Sequence, residues 1–241
     1  MVLGSKIYKG FLRGGEELRV GIIAPIKYLS DYCNTRVQYC IPGLLSDPRY
    51  SSFYAQRQRQ MDLVILDYRS LELPRAPGNY IKPSFSIDIV VSPSYAFKKE
   101  KTLEAFKEFY KREIDSNSEL AGCVEGSTLE EASDCVRVLE DHKISYLAVP
   151  AHMQLVFKGE RPKTDLPVIF LDNRTSPYEC KGGLSDILVT SLPVRLGLLG
   201  RLNSDYLPTP ESLNFFTEEN LYPTVIEKNI QDLLEHYEEV I

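Results

Sequence analysis

The sequence is poor in several residue types that mark particular classes of protein. It has no tryptophan, three histidines and five cysteines, and no apolar run reaches the roughly 18 residues of a membrane-spanning helix. The cysteines are widely spaced and form no CxxC pair, which excludes a zinc knuckle and a disulfide framework. Residues 1–20 lack the apolar core of a signal peptide, so we expect a cytoplasmic protein. We also expect no metal and no cofactor.

Positive charge and nucleotide-binding motifs are also lacking. Lys and Arg number 28 against 34 Asp and Glu, which gives a formal net charge of −6 and no long-range attraction for a polyanion. The chain contains no GxxxxGK(S/T), GxGxxG, GxSxG or HExxH sequence, which excludes the sites built on those motifs. What remains is an ordinary globular composition, with 43% hydrophobic and 26% charged residues in 241.

Short apolar runs rich in β-branched residues alternate with helical stretches, which is the pattern of a parallel sheet. Seven runs predict strands: Val20–Ala24, Leu63–Leu66, Ile87–Val91, Leu120–Val124, Ile144–Val149, Val168–Leu171 and Ile187–Val189. An eighth strand is indicated at Val37–Ile41. Eight strands favour an α/β fold of the (β/α)8 TIM-like barrel type, and an open doubly wound sheet is the alternative.

Two stretches between the strands predict amphipathic surface helices, at Lys98–Glu113 and Thr128–Asp141. Ser127 and Glu130 have the spacing of a capping box, which places the preceding turn at the carboxyl end of a strand.

The chain reads as one domain with a helical tail. We expect residues 1–205 to form the barrel and residues 206–241 to form a C-terminal extension packed on it. An acidic helix is predicted at Val225–Glu239 within that extension, where it would pack on the barrel or on a second copy of the chain.

Catalytic groups of such barrels lie on the loops that follow the carboxyl ends of the strands. Polar residues follow six of the predicted strands at this end: Asp67, Ser94, Glu125, His152, Asp172 and the pair Thr190 and Ser191. His152 is a candidate general acid. No further His, Cys or Glu lies near it in the sequence, so a metal site is not predicted.

Several of these turns resemble motifs of the tRNA-guanine transglycosylase superfamily, in particular its shorter phage-type members. Leu66–Glu72 is similar to the LDSGGFQ turn of that family, and Val124–Gly126 to its VQG turn. Val189–Arg195 is similar to the stretch DCVxPTR, and Ser92–Ser94 to a turn with a Pro-Asp pair. Order and spacing agree over residues 20–200.

The resemblance implies a barrel that binds a guanine-like base, with two Asp residues that exchange the base through a covalent intermediate. Asp67 takes the position of the proton-handling Asp, whereas Val189 stands where the nucleophile belongs. Asp172 is the carboxylate that we would test as a substitute. The substrate-binding residues implied in this way are Ser94, Glu125, Gly126, Thr190, Ser191 and Arg195, and the strand-end position of His152 adds this residue to the set.

Glu125 takes the position of a Gln that reads the carbonyl of the base in the family. An ionised carboxylate only accepts hydrogen bonds, so Glu125 would prefer an edge with amino or ring N–H donors. The alternative is that Glu125 is a solvated loop charge. The partners implied are a purine-like base and DNA, with a homo-oligomer as a further option. A tRNA substrate is disfavoured because the zinc module of the tRNA enzymes is absent.

Three hypotheses therefore remain. The first is a transglycosylase-like enzyme that modifies nucleic-acid bases, of a kind encoded by viruses. The second is a catalytically inactive relative that serves as a base-binding, nucleic-acid-binding or partner-binding subunit. The third is an unrelated TIM-barrel enzyme that acts on a small acidic or phosphorylated metabolite.

Overall fold

A computed structural model describes residues 19–68, 83–113, 116–158, 160–171, 186–203, 219 and 221–238. Eight parallel strands form a closed barrel in which each strand pairs with its neighbours in sequence and β8 pairs with β1. The strands are β1 Arg19–Ile22, β2 Val37–Cys40, β3 Leu63–Asp67, β4 Ile89–Val91, β5 Glu119–Cys123, β6 Tyr146–Pro150, β7 Val168–Leu171 and β8 Ile187–Thr190.

Helices connect the strands and cover the outside of the barrel. They are α1 Leu29–Tyr32, α2 Pro48–Arg59, α3 Lys99–Glu113, α4 Leu129–Glu140, α5 Met153–Phe157, α6 Leu192–Leu198 and α7 Pro223–Glu238. Short 3₁₀ turns lie at Ile26–Tyr28 and Pro42–Leu44. The prediction of a (β/α)8 barrel is confirmed, and the open sheet is wrong.

The strand register shows which side chains point into the barrel. Leu66 and Val90 line a groove on the outer wall, so their alternating neighbours Ile65, Asp67 and Val91 face the interior. Strand pairing places further buried side chains on this interior face all around the barrel: Val37, Tyr39, Ile65, Val91, Ala121, Ala148, Ile169 and Val189. The barrel is therefore filled by its own side chains, and its chemistry belongs to the strand ends.

The start of α4 differs by one residue from the predicted capping box. Thr128 is the N-cap, and its hydroxyl accepts a hydrogen bond of 3.2 Å from the backbone N–H of Glu131. The Glu131 carboxylate in turn accepts from the backbone N–H of Ser127. The box thus uses Thr128 and Glu131 rather than Ser127 and Glu130, because both registers place a hydroxyl residue three positions before a Glu.

The tail helix α7 packs on α6, the short helix that follows β8. Gly197 lies so close to Ile226 that a β-carbon on the glycine would come within 2.3 Å of Cγ1 of Ile226. The Asn229 side chain is buried beside them and donates to the carbonyl of Pro193 over 3.2 Å. The division into residues 1–205 and 206–241 stays a prediction, because its boundary falls outside the described residues.

Across the described ranges, none of the helices combines the length and the apolar character that crossing a bilayer requires.

Candidate active site

Glu125 is the centre of a hydrogen-bonded cluster at the carboxyl ends of β4, β5 and β6. Its side chain is 1% exposed. One carboxylate oxygen, Oε1, accepts from the hydroxyl of Ser94 over 3.0 Å. The other, Oε2, accepts from the backbone N–H of Phe97 over 2.9 Å and lies 2.8 Å from Nε2 of His152. Three donors satisfy this carboxylate, which stabilises a buried charge that would otherwise be costly.

The contact with Glu125 defines which atom of His152 is available for chemistry. An ionised carboxylate only accepts hydrogen bonds, so a neutral imidazole in this contact donates from Nε2 and keeps its lone pair on Nδ1. The His152 side chain is 31% exposed, and its ring packs edge-on against Phe97 with 4.7 Å between the ring centres. An imidazole held by a buried carboxylate and partly exposed to solvent has the arrangement of a general base.

Gly126 and Cys135 hold the Glu125 loop against α4. A β-carbon on Gly126 would lie 2.6 Å from the backbone nitrogen of Ala132, so only glycine allows this close approach. Gly126 therefore positions Glu125 by packing.

Burial raises the pKa of the Cys135 thiol to about 11, which keeps this thiol protonated and unreactive.

Asp67 lies at the end of β3, facing the barrel interior, and is fully buried. The hydroxyl of Tyr39 donates to its Oδ2 atom, and the hydroxyl of Tyr54 donates to the backbone carbonyl of Tyr39 over 2.5 Å. Asp67 thus belongs to a network with tyrosines of β2 and α2, and β4 lies between it and the strand that leads to Glu125.

Thr190, Ser191 and Arg195 are buried at the start of α6. The Thr190 hydroxyl accepts from the backbone N–H of Leu192 over 3.1 Å, and Nε of Arg195 donates to the Ser191 hydroxyl over 2.9 Å. These contacts brace the turn between β8 and α6. Val189 is buried on the interior face of β8.

The structure brings together three of the residues singled out in the sequence: Ser94, Glu125 and His152. The alternative that Glu125 is a solvated loop charge is wrong, because its carboxylate is buried and bonded to protein donors. Asp172 lies outside the described residues. Phe97 was missed, because its strand-end position carries neither charge nor a motif.

Within the ranges that the structure describes, no group of three or more His, Cys, Asp or Glu side chains is arranged to hold a metal ion. A groove of about 930 Å³ lies on the outer wall between α2 and α3. It is lined by Tyr68, Arg112 and Glu113 among others, and the last two form an ion pair at 2.8 Å. This groove is remote from the Glu125 cluster, and we place the chemistry at the cluster because its groups can transfer a proton.

The fold defines the chain as a (β/α)8 barrel of the TIM type. No family model and no curated protein matches its sequence. Among solved structures, Rhizobium etli pyruvate carboxylase with acetyl coenzyme A is similar at a TM-score of 0.54 and 14% identity, over 98% of this chain and 28% of that one. Its carboxyl transferase domain is similar at a TM-score of 0.53 and 14% identity. The match covers 95% of this chain and 49% of that chain, about half its length. Orotidine 5'-phosphate decarboxylase from Thermotoga maritima has a TM-score of 0.48 and 13% identity, over 73% of this chain and 91% of that chain. At these identities the likeness shows the fold.

The resemblance to tRNA-guanine transglycosylases is wrong. No family model matches the chain, and the solved structures similar to it at a TM-score above 0.5 include those of pyruvate carboxylase. Short polar turns after apolar strands occur in any barrel of this type, so they matched a family to which the chain shows no kinship. The expectations of a purine-like base and of DNA rested on that resemblance and have no other support. The comparisons support the barrel fold alone.

Proposed function

We propose that the protein is an enzyme that transfers a proton to or from a small metabolite at the carboxyl end of the barrel. His152 is the group that exchanges the proton with the substrate, through Nδ1. Glu125 positions His152 and stabilises the imidazolium that forms when the ring takes the proton. The observation that carries this proposal is the 2.8 Å contact between Nε2 of His152 and Oε2 of the buried Glu125.

Two features of the cluster support catalysis over a purely structural role. The His152 side chain is 31% exposed, so a substrate can contact the ring. Ser94 binds the other carboxylate oxygen and the backbone of Phe97 binds the same oxygen as His152, which holds Glu125 in place against the imidazole. A fixed base at a strand end is where barrel enzymes place their catalytic residues.

Asp67 is a second proposed proton-transfer group. It is a fully buried carboxylate on the interior face of β3, and its contact with the Tyr39 hydroxyl links two titratable side chains. The proposal for Glu125 and His152 does not depend on it. Asp67→Asn tests its role separately, because this variant leaves the Glu125 cluster unchanged.

The test is the exchange of substrate hydrogen with solvent. A mixture of small carbonyl compounds, namely keto acids, aldehydes and hydroxyketones, is incubated with the protein in D₂O and followed by proton NMR. Carbon-bound hydrogen next to a carbonyl is acidic enough for an imidazole base, so we expect the wild-type protein to exchange at least one member. His152→Asn lowers that rate by about 100-fold or more.

His142→Asn is the matched control. His142 lies in the turn after α4, where its Nδ1 atom is 2.9 Å from the carbonyl of Val138, and we expect this variant to exchange at the wild-type rate. Exchange that survives in His152→Asn, or no exchange by the wild-type protein, would contradict the proposed function.

A further inference from the structure

Phe97 occupies a backbone conformation that ordinarily belongs to glycine. Tyr95 to Lys98 form a turn closed by a 2.9 Å hydrogen bond from the N–H of Lys98 to the carbonyl of Tyr95. Phe97 is the third residue of this turn and has a φ of 58°. A positive φ at this position is typical of a type II turn, where glycine or asparagine is usual and a bulky side chain is strained.

Packing does not account for the phenylalanine. The residue is 45% exposed, so its ring fills no place in the core. The turn is held firmly by other contacts. The Thr102 hydroxyl accepts from the backbone N–H of Tyr95, and the N–H of Phe97 donates to Oε2 of Glu125. The strained backbone therefore presents an aromatic ring beside His152, at 4.7 Å between ring centres.

Other exposed apolar side chains lie on the same end of the barrel. The described residues expose six large hydrophobic side chains: Met61, Phe97, Leu129, Leu155, Leu221 and Tyr222. Three of them follow the consecutive strands β4, β5 and β6, as do the members of the Glu125 cluster. Leu155 is 81% exposed and lies three residues after His152, at the centre of α5.

We propose that Phe97 is a specificity-determining residue that binds an apolar or planar part of the substrate next to the proton transferred by His152. The substrate class that fits is a small carbonyl compound with an aromatic or branched apolar group. Leu155 adds a second exposed apolar side chain in the helix that follows His152. This inference rests on the proposed function, because it locates the substrate at the same ring.

The test compares binding within matched ligand pairs, which does not require turnover. The probes are pyruvate with phenylpyruvate, and acetaldehyde with phenylacetaldehyde, measured by saturation-transfer NMR titration. We expect the wild-type protein to bind the phenyl member of at least one pair more tightly. Phe97→Gly reduces that preference about fivefold to tenfold, the magnitude of a lost aromatic contact, and Phe97→Tyr retains it.

Stability separates this role from a structural one. Phe97→Gly relieves the positive φ and is expected to keep or raise Tm while binding selectivity falls. Met61→Gly is the matched control, since Met61 also has a positive φ of 64° and is 75% exposed, but lies in the turn before β3. It is expected to keep or raise Tm in the same way and to leave selectivity unchanged.

Equal binding within both pairs by the wild-type protein, or a preference that survives in Phe97→Gly, would overturn the inference. A failure of the proposed function has a different signature. In that case His152→Asn retains hydrogen exchange, whereas the effect of Phe97→Gly on ligand preference is unaffected.

Discussion

Nε2 of His152 lies 2.8 Å from Oε2 of Glu125, and this contact joins the loop after β5 to the loop after β6. The same oxygen accepts from the backbone of Phe97 in the loop after β4. One buried carboxylate thus connects three successive loops at the catalytic end of the barrel. Replacing Glu125 should disturb the arrangement of these three loops as well as the proposed proton transfer.

Glu125→Leu is expected to destabilise the fold. Leucine accepts no hydrogen bond, so the Phe97 N–H and the His152 Nε2–H lose their acceptor. Leaving a buried donor unsatisfied costs about 1–3 kcal/mol in the free energy of unfolding. Urea denaturation measures this loss. Glu130→Leu, at an exposed position on α4, serves as the control and should change stability by less than about 0.5 kcal/mol. Equal stability of the two variants would mean that the cluster is not formed.

Gly197→Ala is expected to disrupt the packing of α7 on α6. The added carbon would lie 2.3 Å from Cγ1 of Ile226 and 2.8 Å from its Cα atom, so the helices must separate. Overpacking of this kind costs about 1–3 kcal/mol in the free energy of unfolding. Ile226→Ala in the same chain removes the Cγ1 clash but not the backbone clash, so it should restore only part of the stability. A Gly197→Ala protein as stable as wild type would contradict the close approach of these helices.

Asp88 and Asp47 should contribute to the free energy of unfolding with pH dependences of opposite sign. Burial raises the pKa of Asp88, so its favourable contribution is complete below the ordinary value of about 3.9 and is lost as pH rises through the raised value. Hydrogen bonds from Arg49 lower the pKa of Asp47 to about 2, so its contribution is present above about 3.9 and is lost as pH falls toward 2.

Urea denaturation as a function of pH measures both effects. Relative to wild type, Asp88→Asn should gain stability as pH rises from about 4 toward neutrality, because it lacks the carboxylate that becomes costly. Asp47→Asn should lose relative stability as pH rises from about 2 to about 5. Parallel curves for the two variants would show that the two carboxylates do not have these different surroundings.

Four cysteines are expected to be unreactive in the folded protein: Cys33, Cys40, Cys123 and Cys135. Burial raises the pKa of Cys33 to about 12 and that of Cys135 to about 11, so little thiolate forms at pH 8. A Cys180→Ser variant treated with a disulfide reagent should react slowly when native and at four thiols in guanidinium. Rapid reaction of the native variant would place one of these thiols outside the core.

The fold could be predicted from the sequence because parallel barrel strands are buried on both faces and appear as continuous apolar runs. Val168–Leu171 was predicted with both ends correct, and all eight strands were found. The capping box of α4 was predicted one residue too early, because neighbouring Ser127 and Thr128 can both act as N-caps. Which helix the tail packs on could not be predicted, since the close contact of Gly197 with Ile226 joins residues distant in sequence.

The candidate site was predicted residue by residue but not as a group. Ser94, Glu125 and His152 were each named because they follow strands, yet their contacts depend on side-chain directions that spacing alone does not determine. The family motifs misled for the same reason. The segment from Val189 to Arg195 is buried, and its polar side chains form hydrogen bonds within the segment. The conformation of Phe97 has no local signal, because Tyr-Ala-Phe-Lys lacks the Gly or Asn that marks a positive φ.

The most direct test of the proposed pair is the tautomer of His152, measured by nitrogen-15 NMR at a pH where the ring is neutral. His152→Asn assigns the signals among the three histidines of the chain. We predict a proton on Nε2 and none on Nδ1, with this preference lost in Glu125→Leu, which has no acceptor for Nε2–H. A ring protonated on Nδ1 would contradict the proposal, because Glu125 could not accept from a bare Nε2 and Nδ1 could not take a proton from the substrate.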